Sequence, residues 1–121
     1  MNEKELLNII CSVLDDRKAT DIKIVDLEGV SVLADYFVIC TGRSSQHVKS
    51  LADNLDEDMS KKYGIEKIRE DGKQDGKWVV VDYGDVIVHI FYEEMRKTYN
   101  IDELWDNGKN VTSYEGTNNA R

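Results

Sequence analysis

The amino-acid sequence predicts an α/β (or α+β) domain in which helices pack on a mixed sheet of about five strands. Residues 78–91, WVVVDYGDVIVHIF, consist of two β-branched runs joined by a turn that contains Gly84, a pattern typical of a β-hairpin. Residues 2–18 and 44–64 instead carry apolar residues at helical spacing. Because both faces of the hairpin are apolar, we expect it to lie inside the sheet with helices packed on it.

The N-terminal part of the chain is expected to contain a helix followed by two strands. Asn2 can cap the helix over 2–18, because Glu5 stands three residues later as in a capping box. The segment 22–28 is β-branched and partly alternating, which predicts a half-buried strand. The segment 36–41, YFVICT, is more apolar and predicts a second strand.

A second helix should follow the strand over 36–41 and end at residues 63–64. Ser44 or Ser45 can cap its first turn, and the sequence leaves open which of them does. A short strand candidate follows over 65–69. Strand, helix and strand candidate together predict a β-α-β unit with a right-handed crossover.

The C-terminal part begins with a polar loop over 71–77 and the hairpin, and continues with a short helix over 93–99 and a turn over 102–106. Residues 108–121 lack apolar periodicity, so we expect them to form a disordered polar tail. The sequence therefore predicts one domain over residues 1–107, followed by this tail.

Composition excludes several classes of function. A net charge of −8 argues against a nucleic-acid-binding protein and against an anionic membrane surface, since both require a cationic face. No apolar run approaches the ~20 residues of a membrane-spanning helix. Cys11 and Cys40 match no metal or redox spacing and lie inside apolar patterns. We therefore expect them to be buried thiols in a cytoplasmic protein.

Three features could carry chemistry, and each has a simpler structural interpretation. The TGRSS loop at 41–45 could offer backbone N–H groups to an anion, but it lacks the glycine patterns of nucleotide sites and suits a capped strand–helix turn. Asp82 and Asp85 could hold Mg²⁺, but aspartate is also favoured at hairpin turns. His47 and His89 stand beside no nucleophile in sequence. We therefore predict no catalytic residue, no cofactor and no metal.

Aromatic and acidic residues are concentrated near the C-terminus. Residues 82–106 contain seven acids and two bases, which is −5 of the net charge of −8. Five aromatic residues and a methionine fall within or beside the same segment: Trp78, Tyr83, Tyr92, Met95, Tyr99 and Trp105. Such residues are enriched in interface cores. The pattern predicts an apolar patch with an acidic rim, which suits docking onto a basic protein.

Three sequence blocks together resemble a known family. They are DYFVICTGRSSQHV at 35–48, WVVVDYGDVIVHIF at 78–91 and EMRKTYNIDELW at 94–105. In this order and spacing they are similar to the ribosomal silencing factor family, RsfS, also called Iojap. The resemblance covers about residues 3–106. It implies a nucleotidyltransferase-like fold without transferase chemistry, and binding to ribosomal protein uL14 on the large ribosomal subunit. The bound factor would sterically block association with the small subunit and so repress translation when nutrients are short.

The resemblance also implies which residues bind the partner. The family's docking surface is associated with the hairpin and the C-terminal helix, and the matching positions here are Trp78, Asp82, Asp85, His89, Met95, Arg96, Tyr99, Leu104 and Trp105. We expect Trp78 and Tyr99 to be the anchors. The family also implies a possible homodimer. Two alternatives stay open at this point: a Mg²⁺-dependent nucleotidyltransferase-like enzyme, and a homodimeric scaffold that ignores uL14.

Overall fold

The computed structural model describes residues 2–115 and forms a six-stranded mixed sheet with helices on both faces. In chain order the elements are α1 (Glu3–Asp16), β1 (Thr20–Asp26), β2 (Tyr36–Gly42), α2 (Ser45–Tyr63), β3 (Arg69–Asp71), β4 (Trp78–Asp82), β5 (Val86–Tyr92), α3 (Glu93–Thr98), α4 (Ile101–Leu104) and β6 (Val111–Ser113). The strand order is β3-β4-β5-β2-β1-β6. The predicted fold class is confirmed, with one strand more than the expected five.

The hairpin lies inside the sheet, as its two apolar faces predicted. Strands β4 and β5 pair antiparallel, with Trp78 opposite Phe91 and Asp82 opposite Ile87. Gly84 in the turn has a φ of 93°, which L side chains rarely adopt. The other neighbour of β5 is β2, and among the strands described only these two run parallel.

The predicted β-α-β unit over 36–65 is wrong in its last member. Residues 65–68 lie outside any strand, and β3 begins at Arg69. This short strand lies at the sheet edge and pairs antiparallel with β4, because the loop over 72–77 returns the chain beside it. The crossover from β2 therefore includes α2, β3 and β4 before β5 provides the parallel neighbour.

The alternation of side chains along the strands gives the sheet two apolar faces. On one face α1 and α2 bury a large cluster that includes Leu7, Ile10, Leu14, Leu51, Leu55, Met59, Val38, Val79, Val81, Val88 and Ile90. The opposite face carries a smaller cluster, Val25, Leu27, Ala34, Phe37, Ile39 and Phe91. Trp78, Ile87, Met95, Ile101 and Trp105 are only partly buried against that smaller cluster. The second face is therefore less completely covered than the first.

Local signals explain the helix ends. The Asn2 side chain accepts a hydrogen bond from the Glu5 N–H and caps α1. Ser44, rather than Ser45, caps α2, because its Oγ accepts from the His47 N–H. Gly64 ends α2 with a left-handed φ of 66°. No helix among residues 2–115 combines the length and apolarity needed to cross a membrane.

The segment expected to be a disordered tail contains regular structure. Val111–Ser113 form β6, which pairs antiparallel with β1, and the Tyr114 side chain packs against the larger cluster. An edge strand pairs through backbone N–H and C=O groups, so it can form without the apolar periodicity used for the prediction. The expected tail thus begins with an ordered strand, and its residues 116–121 lie outside those that the structure describes.

Candidate functional site

A series of aromatic rings crosses the second face of the sheet. The Trp78 indole stacks on Phe91 with 4.8 Å between ring centroids, and Tyr99 lies on it at 5.4 Å. Phe37 of β2 contacts the His89 ring at 4.6 Å and the Trp105 ring at 6.0 Å, both edge-on. Residues from β2, β4, β5, α3 and α4 thus form one layer. Edge-on and offset contacts of this kind stabilise such layers.

A hydrogen bond joins the two halves of this layer. The Trp78 Nε1–H donates to Nδ1 of His89 over 3.1 Å. The imidazole is buried, and its other nitrogen, Nε2, has no hydrogen-bond partner among the described residues. Burial lowers the pKa of His89 from 6.5 to about 4, so the ring is neutral at pH 7.

Several residues of this layer remain open to solvent. Tyr99 is 47% exposed and Leu104 is 77% exposed, whereas Trp78, Met95 and Trp105 are partly buried. Tyr83 and Tyr92 instead pack into the cluster under α1 and α2, so three of the five C-terminal aromatics belong to the exposed layer. We name the surface formed by Trp78, Met95, Tyr99, Leu104 and Trp105 the aromatic face.

A groove lies beside strands β4 and β5 and is lined by Leu33, Arg69, Asp71, Val80, Asp82 and Ile87. Leu33, Val80 and Ile87 supply its apolar lining, and the groove has a volume of about 240 Å³. Leu33 belongs to the β1–β2 loop and is 73% exposed. Neither Val80 nor Ile87 was selected from the sequence as a site residue. The signal was present, because Val80 shares the face of Trp78 by strand alternation.

The two aspartates chosen from the sequence lie apart from the aromatic rings. Asp82 lines the far end of the groove, where its carboxylate accepts from Arg69 Nε over 3.3 Å and from the Gly84 N–H over 2.8 Å. Asp85 is exposed and lies with Glu3 and Asp35. Asp82 therefore belongs to the groove, whereas Asp85 belongs to the end of the sheet near the start of α1.

Arg96 faces the protein interior. Its guanidinium donates to Thr41 Oγ1 over 2.8 Å and to Asp102 over 3.3 Å, and it forms an ion pair with Asp21. These bonds tie α3 and the start of α4 to the ends of β1 and β2. Arg96 is therefore buried and bonded within the protein, and a contact of this position with the partner stays a prediction.

One carboxylate cluster within residues 2–115 has ligand atoms close enough to share an ion. Oxygens of Glu3, Asp35 and Asp85 lie within 4.8 Å of one another. A hydrogen bond to Asp35, together with the neighbouring negative charges, raises the pKa of Glu3 to about 7. The crowding of these carboxylates therefore favours the protonated form of Glu3. Asp82 is not a member of the cluster, so the Asp82–Asp85 pair considered from the sequence does not converge there.

The TGRSS junction binds its own residues. The Arg43 N–H donates to Nδ1 of His47 over 3.1 Å, and Nε2 of His47 contacts the Arg17 carbonyl oxygen over 3.0 Å. Gly76 lies against the first turn of α2, where an added Cβ would be 2.7 Å from the Ser45 carbonyl oxygen. The junction is therefore a capped turn with the 72–77 loop beside it, in agreement with the structural interpretation of the sequence, although Arg43, Ser45 and Gln46 are exposed.

Comparison with known proteins identifies the family. A family model described as RsfS, ribosomal silencing factor during starvation, matches residues 1–121. The chain belongs to the ribosomal silencing factor family. The ribosomal silencing factor RsfS of Bacillus subtilis is 41% identical over 105 residues, which are 87% of this chain and 88% of that protein. The ribosomal silencing factor RsfS of Haemophilus influenzae is 42% identical over 100 residues, 83% of this chain and 97% of that protein.

A solved structure supports the fold of this family member. The crystal structure of a Chromobacterium violaceum protein is similar with a TM-score of 0.83 and 31% identity, covering 96% of this chain and 95% of that chain. The resemblance found from three sequence blocks is thereby confirmed. The names of the ribosomal silencing factor relatives describe regulation of ribosomes.

Proposed function

We propose that this protein is a cytoplasmic, non-catalytic translation repressor that binds uL14 on the large ribosomal subunit and blocks joining of the small subunit by occupying space. The observation that carries the proposal is that the aromatic face of this protein is partly open to solvent. The chain also belongs to the ribosomal silencing factor family. Occupancy then depends on affinity and concentration, and no chemical step is required.

The chemistry of the aromatic face suits a protein partner. Tryptophan and tyrosine that keep part of their ring accessible are the residue types that dominate binding energy in interfaces. Tyr99, which follows α3, and Leu104 of α4 are exposed, and Trp78 supplies a partly buried ring between Tyr99 and Phe91 of the sheet. Val80, two residues after Trp78 on β4, lines a groove with Leu33 and Ile87, and this groove also carries the charged residues Arg69, Asp71 and Asp82.

The charge around this surface suits a basic partner. The short helices carry exposed Glu93, Glu94 and Glu103, and Asp106 follows them, also exposed. Opposite charge on a partner would steer association and set its orientation. The basic residue Arg96 does not offset this field, because its guanidinium is paired with Asp102 and Asp21 inside the protein.

The two alternatives receive less support from the same geometry. An enzyme of the nucleotidyltransferase type would need backbone N–H groups at the strand–helix junction and converging carboxylates, and here the Arg43 and His47 N–H groups bond within the junction while Asp82 and Asp85 do not converge. A scaffold that dimerises through the aromatic face would use the same rings for a second copy. Light scattering with and without purified uL14 separates the two modes, because a scaffold stays dimeric and ignores uL14.

The test replaces an exposed anchor and keeps the fold. Tyr99→Ala removes a ring that is 47% exposed, and Tyr63→Ala is its matched control, since Tyr63 is 43% exposed at the end of α2. Binding to purified uL14 and co-sedimentation with large subunits are measured after circular dichroism shows both variants folded. Truncation of a central anchor typically costs ~2 kcal/mol, so Tyr99→Ala should bind roughly thirtyfold more weakly than Tyr63→Ala.

Two outcomes of the binding measurements would contradict the proposal. Equal binding by the Tyr99→Ala and Tyr63→Ala proteins would remove the aromatic face from the interface. Trp78→Ala is the second probe, because its ring contacts Tyr99 and lies deeper in the layer. Folded Trp78→Ala protein that sediments with large subunits like the wild type would remove Trp78 from the site.

A further inference from the structure

The imidazole of His89 lies where it can control the orientation of Trp78. Strand β4 pairs with β5 so that Trp78 is opposite Phe91 and Val80 is opposite His89. Trp78 and His89 are therefore diagonal neighbours on one face of the hairpin. Stacking on Phe91 at 4.8 Å sets the plane of the indole, but a stacked ring can still present either edge. The bond from Trp78 Nε1 to His89 Nδ1, 3.1 Å long, selects one edge.

The protonation of the imidazole follows from this bond. A ring nitrogen that accepts a hydrogen bond carries no proton, so Nδ1 is the bare nitrogen and the neutral ring holds its proton on Nε2. Nε2 is buried and has no partner within the described part of the chain. The packing of Phe37 and Phe91 against the ring surrounds it with apolar groups. The lone pair on Nδ1 therefore faces the Trp78 N–H across the neutral pH range.

A histidine is a costly choice for this place if folding stability alone is considered. A buried N–H group without an acceptor destabilises the folded state, and a leucine or phenylalanine would pack among the same neighbours without that loss. An apolar residue, however, has no atom that could accept the hydrogen bond from the Trp78 indole, and His89 does. A residue that lowers stability while it fixes a partly exposed tryptophan is typical of a functional constraint.

We propose that His89 is a positioning residue, which holds the Trp78 indole in the orientation that the aromatic face presents to its partner. This inference rests on the proposed function, in which the aromatic face binds uL14. It also changes the role implied by the family resemblance, because His89 acts through Trp78 rather than by touching the partner. The partner then meets an indole whose orientation is already set, which lowers the entropic cost of binding.

The test compares variants that keep or remove the acceptor. His89→Leu removes it, and His89→Phe is a second variant without it in case the first does not fold. His89→Asn places an amide oxygen near the position of Nδ1 and should restore the bond. The readout in the free protein is the indole N–H of Trp78, followed by ¹⁵N nuclear magnetic resonance and assigned with a Trp105→Phe protein. We expect slow hydrogen exchange of this N–H in the wild type and His89→Asn, and fast exchange in His89→Leu.

Binding to purified uL14 completes the test. His89→Leu should bind about tenfold more weakly than the wild type, the size of one lost hydrogen bond, whereas His89→Asn should recover most of the affinity. An unchanged indole signal in folded His89→Leu or His89→Phe would overturn the inference, and so would full affinity in a variant whose indole N–H exchanges fast. Failure of the wild type to bind would instead overturn the proposed function, and the indole exchange would still decide whether His89 orients Trp78.

Discussion

Lowering the pH should weaken the fold through His89. Burial lowers the pKa of this histidine from 6.5 to about 4, so the unfolded chain binds a proton below pH 6.5 that the folded protein does not bind until about pH 4. Unfolding therefore takes up a proton in this window, and the free energy of unfolding falls as the pH falls. The stabilisation is fully present above pH 6.5 and is lost progressively between pH 6.5 and about pH 4.

The magnitude follows from the difference between the two pKa values. That difference is about 2.5, from 6.5 to about 4, and each unit corresponds to about 1.4 kcal/mol. The loss attributable to His89 is therefore roughly 3 kcal/mol over the whole window and about 1.4 kcal/mol by pH 5.5. For a domain with a typical unfolding free energy of ~5–15 kcal/mol, this is a measurable fraction.

The assay is urea unfolding of the wild type and His89→Leu at pH 7.5, which lies above the window, and at pH 5.5 and 4.5, which lie within it. Other groups, including Glu3 and the carboxylates, titrate in both proteins and cancel in the difference. The free energy of unfolding of the wild type relative to His89→Leu should fall as the pH falls. Parallel pH profiles for the two proteins would refute the assignment of a low pKa to a buried, neutral His89.

Two further predictions concern stability at other positions. Glu3→Gln should raise the melting temperature most above pH 7 and little below pH 4.5. The reason is that the Glu3 pKa is raised from 4.5 to about 7, so ionisation of this carboxyl destabilises the folded state as the pH rises from 4.5 to 7. A difference in melting temperature that does not change with pH, measured by calorimetry, would contradict this prediction. Gly72→Ala should destabilise by roughly 2 kcal/mol or more, because φ is +91° and the new Cβ would overlap the Trp78 carbonyl oxygen. Its matched control is Gly29→Ala, with φ +77° and no atom within 4 Å of the Cβ, so equal losses in urea unfolding would exclude the contact with Trp78 as the cause.

Much of the fold was predictable because periodicity is a local property. The helical stripes gave α1 and α2 to within a few residues, and the capping candidates Asn2 and Ser44 or Ser45 gave their starts. Two β-branched runs around Gly84 gave the hairpin with the correct faces. Where pairing depended on the backbone alone, as for β6, the sequence carried no comparable signal.

The candidate site was predictable in part. The family motifs selected Trp78 and Tyr99, whose rings contact each other, and Trp105, whose ring contacts Phe37 of the same layer. They also selected Leu104, which is exposed in α4. Whether each of them binds the partner stays a prediction. Motif matching cannot separate a residue that faces outward from one that supports it from within, because both recur at fixed spacing. Arg96 was therefore selected with the others, although its guanidinium is buried and bonded to Thr41.

By itself, the sequence determined the fold class, the family and an acidic, aromatic C-terminal region, since composition, periodicity and motif spacing are all read along one dimension. Only the tertiary structure decided which aromatics share a surface, because Phe37 and Trp105 are brought together by the parallel pairing of β2 with β5 and by the return of α4. It alone also revealed the bond between Trp78 and His89, since strand register, not sequence distance, sets which polar atoms meet.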